Sequence, residues 1–289
     1  MANTIITAEK MVPVVDEIYK QASLTAALDA TTQVDFTGTK TVKVMKTETT
    51  GLGDYSHEDG YPRGNANVTW EALTLNEERA AAIGVDRMDN EETLGIAFGN
   101  VIGKFVREHV VPELDAYRFA KYASAEGIFS KSATYADGEA LLNDIDIASA
   151  TLDDSEVPAN RTLYIASELR PLLMKAFSRN FGNDAAISRS VNSYNDMNIV
   201  YVPRKRFYTE ITLNDGSSNW GFANAGSKIN FMIVCPESVL QAKKLALPKV
   251  FDPDSNIIKD EWLFQYRLYH DAFVYEKKVN GIYLNKANA

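Results

Sequence analysis

The chain has 289 residues, of which 45% are hydrophobic, 24% charged and 10% aromatic, proportions that exclude disorder, collagen-like repeats and a membrane-embedded bundle. Its 39 acidic and 30 basic side chains give a net charge of −9, and such a surface lacks the basic footprint that tight, sequence-independent nucleic-acid binding requires. The single cysteine, Cys235, ends the apolar run Phe231-Met232-Ile233-Val234 and reads as a small buried thiol, so no intramolecular disulfide is expected.

The start, from Met1 to Lys10, has neither the basic opening nor the apolar core of a signal peptide. No window approaches about 18 consecutive apolar residues, so no membrane-spanning helix is expected. The expectation is a chain made and kept in a reducing cytoplasm.

Residues 9–29 place Met11, Val14, Val15, Ile18, Ala22 and Leu28 at three- and four-residue spacing, which predicts an amphipathic helix capped by Thr7. From Val34 to Thr47 the period changes to two, with Val34, Phe36, Val42 and Val44 on one face, predicting a strand. A second strand is predicted over Asn67 to Leu75; its apolar parity slips between Val68-Trp70 and Leu73-Leu75, which predicts a bulge or a twist. Between the two strands lies a polar tip, Glu48 to Ala66, carrying Gly51, Gly53, Gly60 and Gly64. A tip of roughly 19 residues is long for a hairpin, and a two-stranded ribbon is marginal alone, so this hairpin is expected to lean on something outside itself.

Residues 91–126 carry the longest helical signal, with Leu94, Phe98, Ile102, Phe105, Val106, Val110, Leu114, Phe119 and Tyr122 in register. A continuous helix of about 36 residues would be a rod of roughly 54 Å, which Pro112 should kink or divide. Beyond it the pattern predicts a helix over Glu139 to Thr151, a strand over Thr162 to Ala166, a helix over Glu168 to Phe177, and strands over Ile199 to Val202 and Phe207 to Leu213. A loop over Asn214 to Ser227, a strand over Ile229 to Cys235 and a short helix over Glu237 to Leu245 follow. Trp262 to Val279 then alternates as one long closing strand.

Chemistry-bearing motifs are scarce. His57, His109 and His270 form no HExxH and no Cys/His cluster; His57-Glu58-Asp59 reads as a solvated turn. Asp252-Pro-Asp254-Ser-Asn256 fails as a calcium loop because Ile257 and Leu263 stand where glycine and glutamate are needed. There is no P-loop, GxGxxG, GxSxG or CxxC, and the pairs Asp144-Asp146 and Asp153-Asp154 read as solvated faces or helix ends. The basic triplet Arg204-Lys205-Arg206 reads as salt-bridging or a solvated turn. No catalytic, cofactor-binding or metal-binding residue is therefore assigned, and no cofactor is expected.

The order of parts, together with Phe105-Val-Arg-Glu-His-Val-Val-Pro-Glu-Leu-Asp-Ala-Tyr117, Arg161-Thr-Leu-Tyr-Ile-Ala-Ser167, Asn198-Ile-Val-Tyr-Val-Pro-Arg-Lys-Arg-Phe207 and Tyr266-Arg-Leu-Tyr-His-Asp-Ala-Phe-Val-Tyr275, resembles the major capsid proteins of tailed bacteriophages, the Hong Kong 97-type fold shared with encapsulin shells. That resemblance implies an α+β fold with an N-terminal arm (1–30), an extended β-hairpin or E-loop (31–85), a peripheral domain with a long spine helix (86–154), a mixed α/β axial domain (155–250) and a closing strand of the peripheral domain (251–289). It implies a structural protein that self-assembles through hexamers and pentamers into an icosahedral shell around double-stranded DNA. The implied location is the virion, after assembly as a procapsid in the host bacterial cytoplasm.

The E-loop tip residues Gly51, Asp54, Tyr55, His57, Glu58, Tyr61 and Arg63 are then the expected intersubunit contacts. Because the hairpin starts only about thirty residues in, a separate scaffolding protein is expected beside a portal; sequence-specific nucleic-acid and membrane partners are not. Lys40, Lys43 and Lys46 lie on the strand and none on the tip, so the covalent cross-links of some members are not expected. Two rival readings stand: an encapsulin-type shell around a cargo enzyme, and a soluble α/β enzyme.

Overall fold

The computed structural model describes residues 23–28, 41–58, 60–88, 102–180, 192–257 and 259–288. The predicted N-terminal helix lies mostly outside them. Its described end, residues 23–28, is a turn and a short 3-10 segment, Ala26–Leu28, with Leu28 buried. Residues 34–40 of the first predicted strand and 91–101 of the long helix also lie outside.

The core is built around β5 (Thr162–Ala166), which is buried at every position. Alternation sends Tyr164 to one face, where its ring meets Phe119 edge-on at 5.0 Å, and Leu163 and Ile165 to the other. β5 sits inside the central sheet β4-β12-β9-β5-β7-β6, with β8 also paired to β9. Here β4 is Phe129–Ser132, β6 Ser193–Tyr194, β7 Met197–Val202, β8 Tyr208–Leu213, β9 Phe222–Val234 and β12 Ile282–Lys286. Helices α1 (Val111–Ala123), α2 (Gly138–Asp154) and α3 (Arg170–Asn180) complete the same apolar cluster through Phe119, Leu141, Ile145 and Leu173.

Helix α2 begins where the sequence allows it to. Asp137 is extended and its carboxylate accepts the Gly138 N–H at 2.8 Å, and helical residues follow without a β-branched run at the start. Gly138 lies against the Leu172 carbonyl, which a Cβ would approach to 2.1 Å. Gly138→Ala should therefore push α2 off α3 and lower unfolding stability by about 1–3 kcal/mol, measurable by urea denaturation.

A second, three-stranded sheet runs β10-β11-β3, with β3 at Glu77–Asp86, β10 at Val239–Phe251 and β11 at Glu261–Val274. The spine helix lies on it, burying Ile102, Val106, Val110, Val111 and Leu114 against Phe264, Tyr266 and Leu268. Pro112 neither breaks nor divides the spine. The turn before it widens into a π-helical stretch, Val106–Val110, closed by the Val111 N–H on the Val106 carbonyl, which relieves the ring's conflict with the preceding turn. The helix then stops at Ala123, short of the expected residue 126.

Four expectations are corrected. The predicted helix over Glu237 to Leu245 is strand β10: its leucine, alanine, glutamine and lysine favour a helix locally, but pairing with β11 from Val239↔Val274 to Phe251↔Leu263 prevails. The predicted loop Asn214 to Ser227 is half strand, because β9 begins at Phe222. The ladder of β1 (Thr41–Thr49) with β2 (Ala66–Thr74) has no bulge, so the parity slip marks a change in which face is covered. The closing strand ends at Val274, not Val279.

After that strand, Glu276–Gly281 turns as a 3-10 segment and β12 enters the central sheet between β4 and β9. Gly281 permits the passage, since a Cβ there would fall 1.8 Å from Ser238 Oγ. The range 251–289 therefore spans both sheets. Likewise β3, inside the range 31–85 given to the hairpin, pairs with β11 from Glu77↔His270 to Asp86↔Glu261 and belongs to the three-stranded sheet.

Candidate assembly surface

β1 and β2 form a separate antiparallel ribbon of nine pairs, Thr41↔Thr74 to Thr49↔Ala66. Its period-two faces differ. On the inner face Val42 and Leu73, with Leu75, join Leu240, Ala242 and Tyr269 in a small buried cluster, and Tyr269 Oη donates to the Leu75 carbonyl at 2.8 Å. On the outer face Met45 stands opposite Trp70 and Thr47 opposite Val68. Met45, Trp70 and Val68 are 57%, 63% and 54% exposed.

Beyond the ladder, the Thr50 N–H donates to the Asn65 carbonyl and the Asn65 N–H to Thr50 Oγ1, both at 3.1 Å. The tip then folds on itself as a miniature hairpin: the Ser56 N–H donates to the Gly60 carbonyl at 3.2 Å and the Gly60 N–H to the Ser56 carbonyl at 2.9 Å, with Gly60 at φ +80. This brings three of the predicted contact residues together, since the Tyr55 ring meets His57 at 5.5 Å and Tyr61 at 5.1 Å, both edge-on. Gly51, Asp54, Glu58 and Arg63 are exposed around them without joining that cluster. Sequence reasoning missed Leu52, which is fully exposed, and placed Val68 and Trp70 on a strand without assigning them to a contact surface. The signal was the parity slip itself.

Beyond its buried root the ribbon is tied to its own chain by ion pairs. Lys46 pairs with Glu71 at 3.1 Å and with Glu276, and Glu48 pairs with Lys277. These contacts hold Glu48 and Glu276 below the ordinary carboxylate range and Lys46 above the ordinary lysine value, in each case chiefly through the side-chain hydrogen bond across the pair. A second junction lies deeper. Asp115 of the spine, wholly buried, accepts from Ser23 Oγ and Thr25 Oγ1 at 2.9 Å, from the Leu24 and Thr25 N–H groups at 3.1 and 3.4 Å, and from Arg206 at 3.2 Å.

No family model matches this chain, and none of the curated proteins matches it in sequence. Solved structures do match in shape. The capsid structure of the cyanophage P-SCSP1u aligns over 88% of this chain and 85% of its own, at TM-score 0.63 and 13% identity. A structure from Gordonia phage Cozz aligns over 92% and 87%, at TM-score 0.62 and 11% identity. The chain has the Hong Kong 97-type capsid fold. A virus-like particle from Pyrococcus furiosus matches over 96% of this chain and 98% of its own, at TM-score 0.58 and 12% identity.

Within this Hong Kong 97-type fold the polar groups singled out from sequence serve structural contacts. His270 is buried edge-on to Tyr117 at 5.2 Å; burial first, then Arg118 and Arg79, pull its pKa down to about 3, so it is neutral. Asp144 accepts from Lys131 at 2.7 Å and Tyr135 at 2.6 Å, and Asp146 from Tyr194 at 2.7 Å. In the basic triplet, Arg204 pairs with Glu168 and donates to the Ile229 carbonyl at 2.6 Å, while Arg206 serves Asp115. Cys235 is buried. Among the described residues no group of three or more His, Cys, Asp or Glu is placed to hold a metal, and no helix is long and apolar enough to cross a membrane.

Proposed function

We propose that this chain is the major capsid protein of a tailed bacteriophage, a structural, non-enzymatic subunit that self-assembles into an icosahedral shell around double-stranded DNA. The observation that carries the reading is the ribbon: its outer face exposes Met45, Val68 and Trp70 side by side, and its tip presents Leu52, Tyr55 and Tyr61. An exposed apolar patch on a protruding element calls for a partner surface. On a fold built over most of its length like phage capsid structures, a second copy of the chain supplies it.

In this reading residues 1–30 are the N-terminal arm and the ribbon and its tip are the E-loop. The spine helix with β3, β10 and β11 forms the peripheral domain, and the central sheet the axial domain. The contact residues are Gly51, Asp54, Tyr55, His57, Glu58, Tyr61 and Arg63, extended by the outer face of β1 and β2. Hexamers and pentamers assemble in the host cytoplasm with a separate scaffolding protein and a portal, and the finished subunit resides in the virion. The net charge of −9 suits a lining over which packaged DNA slides.

An encapsulin-type shell around a cargo enzyme is the second reading, favoured by the nearly complete mutual coverage with the Pyrococcus furiosus particle. Expression alone and with candidate scaffold partners, followed by sedimentation and negative-stain electron microscopy, tests both. Closed shells that depend on a scaffold support the phage reading. Empty shells that form unaided and retain a co-purifying enzyme select the encapsulin reading, and a monomer under every condition refutes both.

A further inference from the structure

The ribbon meets the rest of the chain in two unlike ways. At its root the contact is apolar and buried, through Val42, Leu73 and Leu75. Next to it, Val44, Phe273 and Tyr275 pack part-buried against the same cluster. A cavity of about 400 Å³ separates β1 and β2 from the segments around Pro236 and Tyr275. What crosses it is ionic: Lys46, which also pairs with Glu71 within the ribbon, reaches Glu276, and Glu48 reaches Lys277, while Glu237 and Lys278 on the far wall pair with each other at 3.4 Å.

We propose that the Lys46–Glu276 and Glu48–Lys277 pairs form an electrostatic latch that sets the angle at which the ribbon leaves the subunit, and that releasing them lets the ribbon swing about Leu75 and Asn76. This rests on the ribbon being the assembly element and adds its regulation. The hinge is two residues long, between the end of β2 and the start of β3. Leu75 is buried and the Asn76 N–H is held by Asp271 at 3.1 Å, so the pivot stays fixed; with Val42 and Leu73 packed at the root, the tilt falls on the ribbon beyond them, over the cavity. Glu48, Glu276 and Lys277 are each more than half exposed, and exposed pairs are individually weak and screened by salt. A latch of that kind biases a pose without locking it.

The sign of its pH response follows from the groups around the cavity: Lys46, Glu48, Glu71, Glu237, Glu276, Lys277 and Lys278. Glu48 and Glu276 are depressed below 4.5 by their lysine partners, so their contribution is complete above that value and lost as pH falls through the lowered ones. Lys46 is raised above 10.5, so its contribution is complete below that value and lost only as pH rises through the raised one. The latch is closed across neutral pH and opens in acid.

The test is a distance distribution between spin labels in the full-length, unassembled chain, with Asn67→Cys on the ribbon and Ala150→Cys on α2, both exposed positions, Cys235 being buried. At low salt and neutral pH the wild-type latch should give one narrow distribution. About 1 M salt, where the screening length is roughly 3 Å, should broaden it at least twofold, as should Glu48→Lys. Combining Glu48→Lys with Lys277→Glu should restore the narrow form. A distribution that is unchanged by salt and by Glu48→Lys, or broad already in the wild type at low salt, overturns the latch. Because the measurement is made on the unassembled chain, it is independent of whether shells form; sedimentation of the same samples addresses that separately.

Discussion

Asp115→Ala should lower the free energy of unfolding by about 3–5 kcal/mol, the cost of removing one partner from a buried charged junction. Asp115 has no exposed surface and takes hydrogen bonds from the Ser23 and Thr25 hydroxyls, two backbone N–H groups and a guanidinium. Its removal takes an acceptor from all of them at once. The hydroxyl of Thr25, a fully buried residue, keeps the Arg118 Nη1 contact at 2.7 Å and its neighbour Ser23 at 3.2 Å. Asp115→Asn preserves shape but points an N–H₂ group at donors, so most of the loss should remain. Arg206→Ala should cost less, because that side chain is 21% exposed and water replaces part of what it gives. Urea titration of the three variants checks the order; a loss below about 1 kcal/mol for Asp115→Ala would mean the junction is an ordinary hydrogen bond.

That junction could not be read from the sequence, and the reason is physical. Asp115 falls within the apolar periodicity of the spine, where a lone carboxylate looks like a surface residue, and its partners lie some ninety residues away on either side. What was legible depended on local forces. β5 was read to its end residues because a short apolar run between polar residues has few other places to go. Helix α2 and strands β7 and β8 followed from apolar spacing and turn residues. What failed depended on distant pairing: β10 reads as a helix until β11 lies beside it, and Ile282-Tyr-Leu284, given no element from sequence, is a strand because β9 and β4 flank it. The candidate site was half legible. The tip residues are exposed and three gather into one aromatic cluster, but the clearest apolar surface, on the outer face of the ribbon, does not announce itself, because apolar residues in a strand most often face inward.

The outer face therefore gives the sharpest separation between folding and assembly. Met45→Glu combined with Trp70→Glu should leave the isolated subunit within about 0.5 kcal/mol of wild type, the usual range for exposed substitutions, since Met45 and Trp70 face solvent across one ladder pair. Assembly should respond quite differently. A tryptophan buried at an interface contributes on the order of 2 kcal/mol or more, so the concentration at which shells appear should rise by at least roughly 30-fold, and more where the contact is repeated around a capsomer. Leu73→Ala, one strand position off that face, is the counterpart: Leu73 is 9% exposed within the inner cluster, so its truncation should cost about 2–3 kcal/mol of subunit stability. Light scattering against concentration, set beside urea denaturation of the same variants, reads both quantities. If the double glutamate variant forms shells at the wild-type concentration, the outer face of the ribbon is not buried between subunits, and the contact must lie in the tip alone.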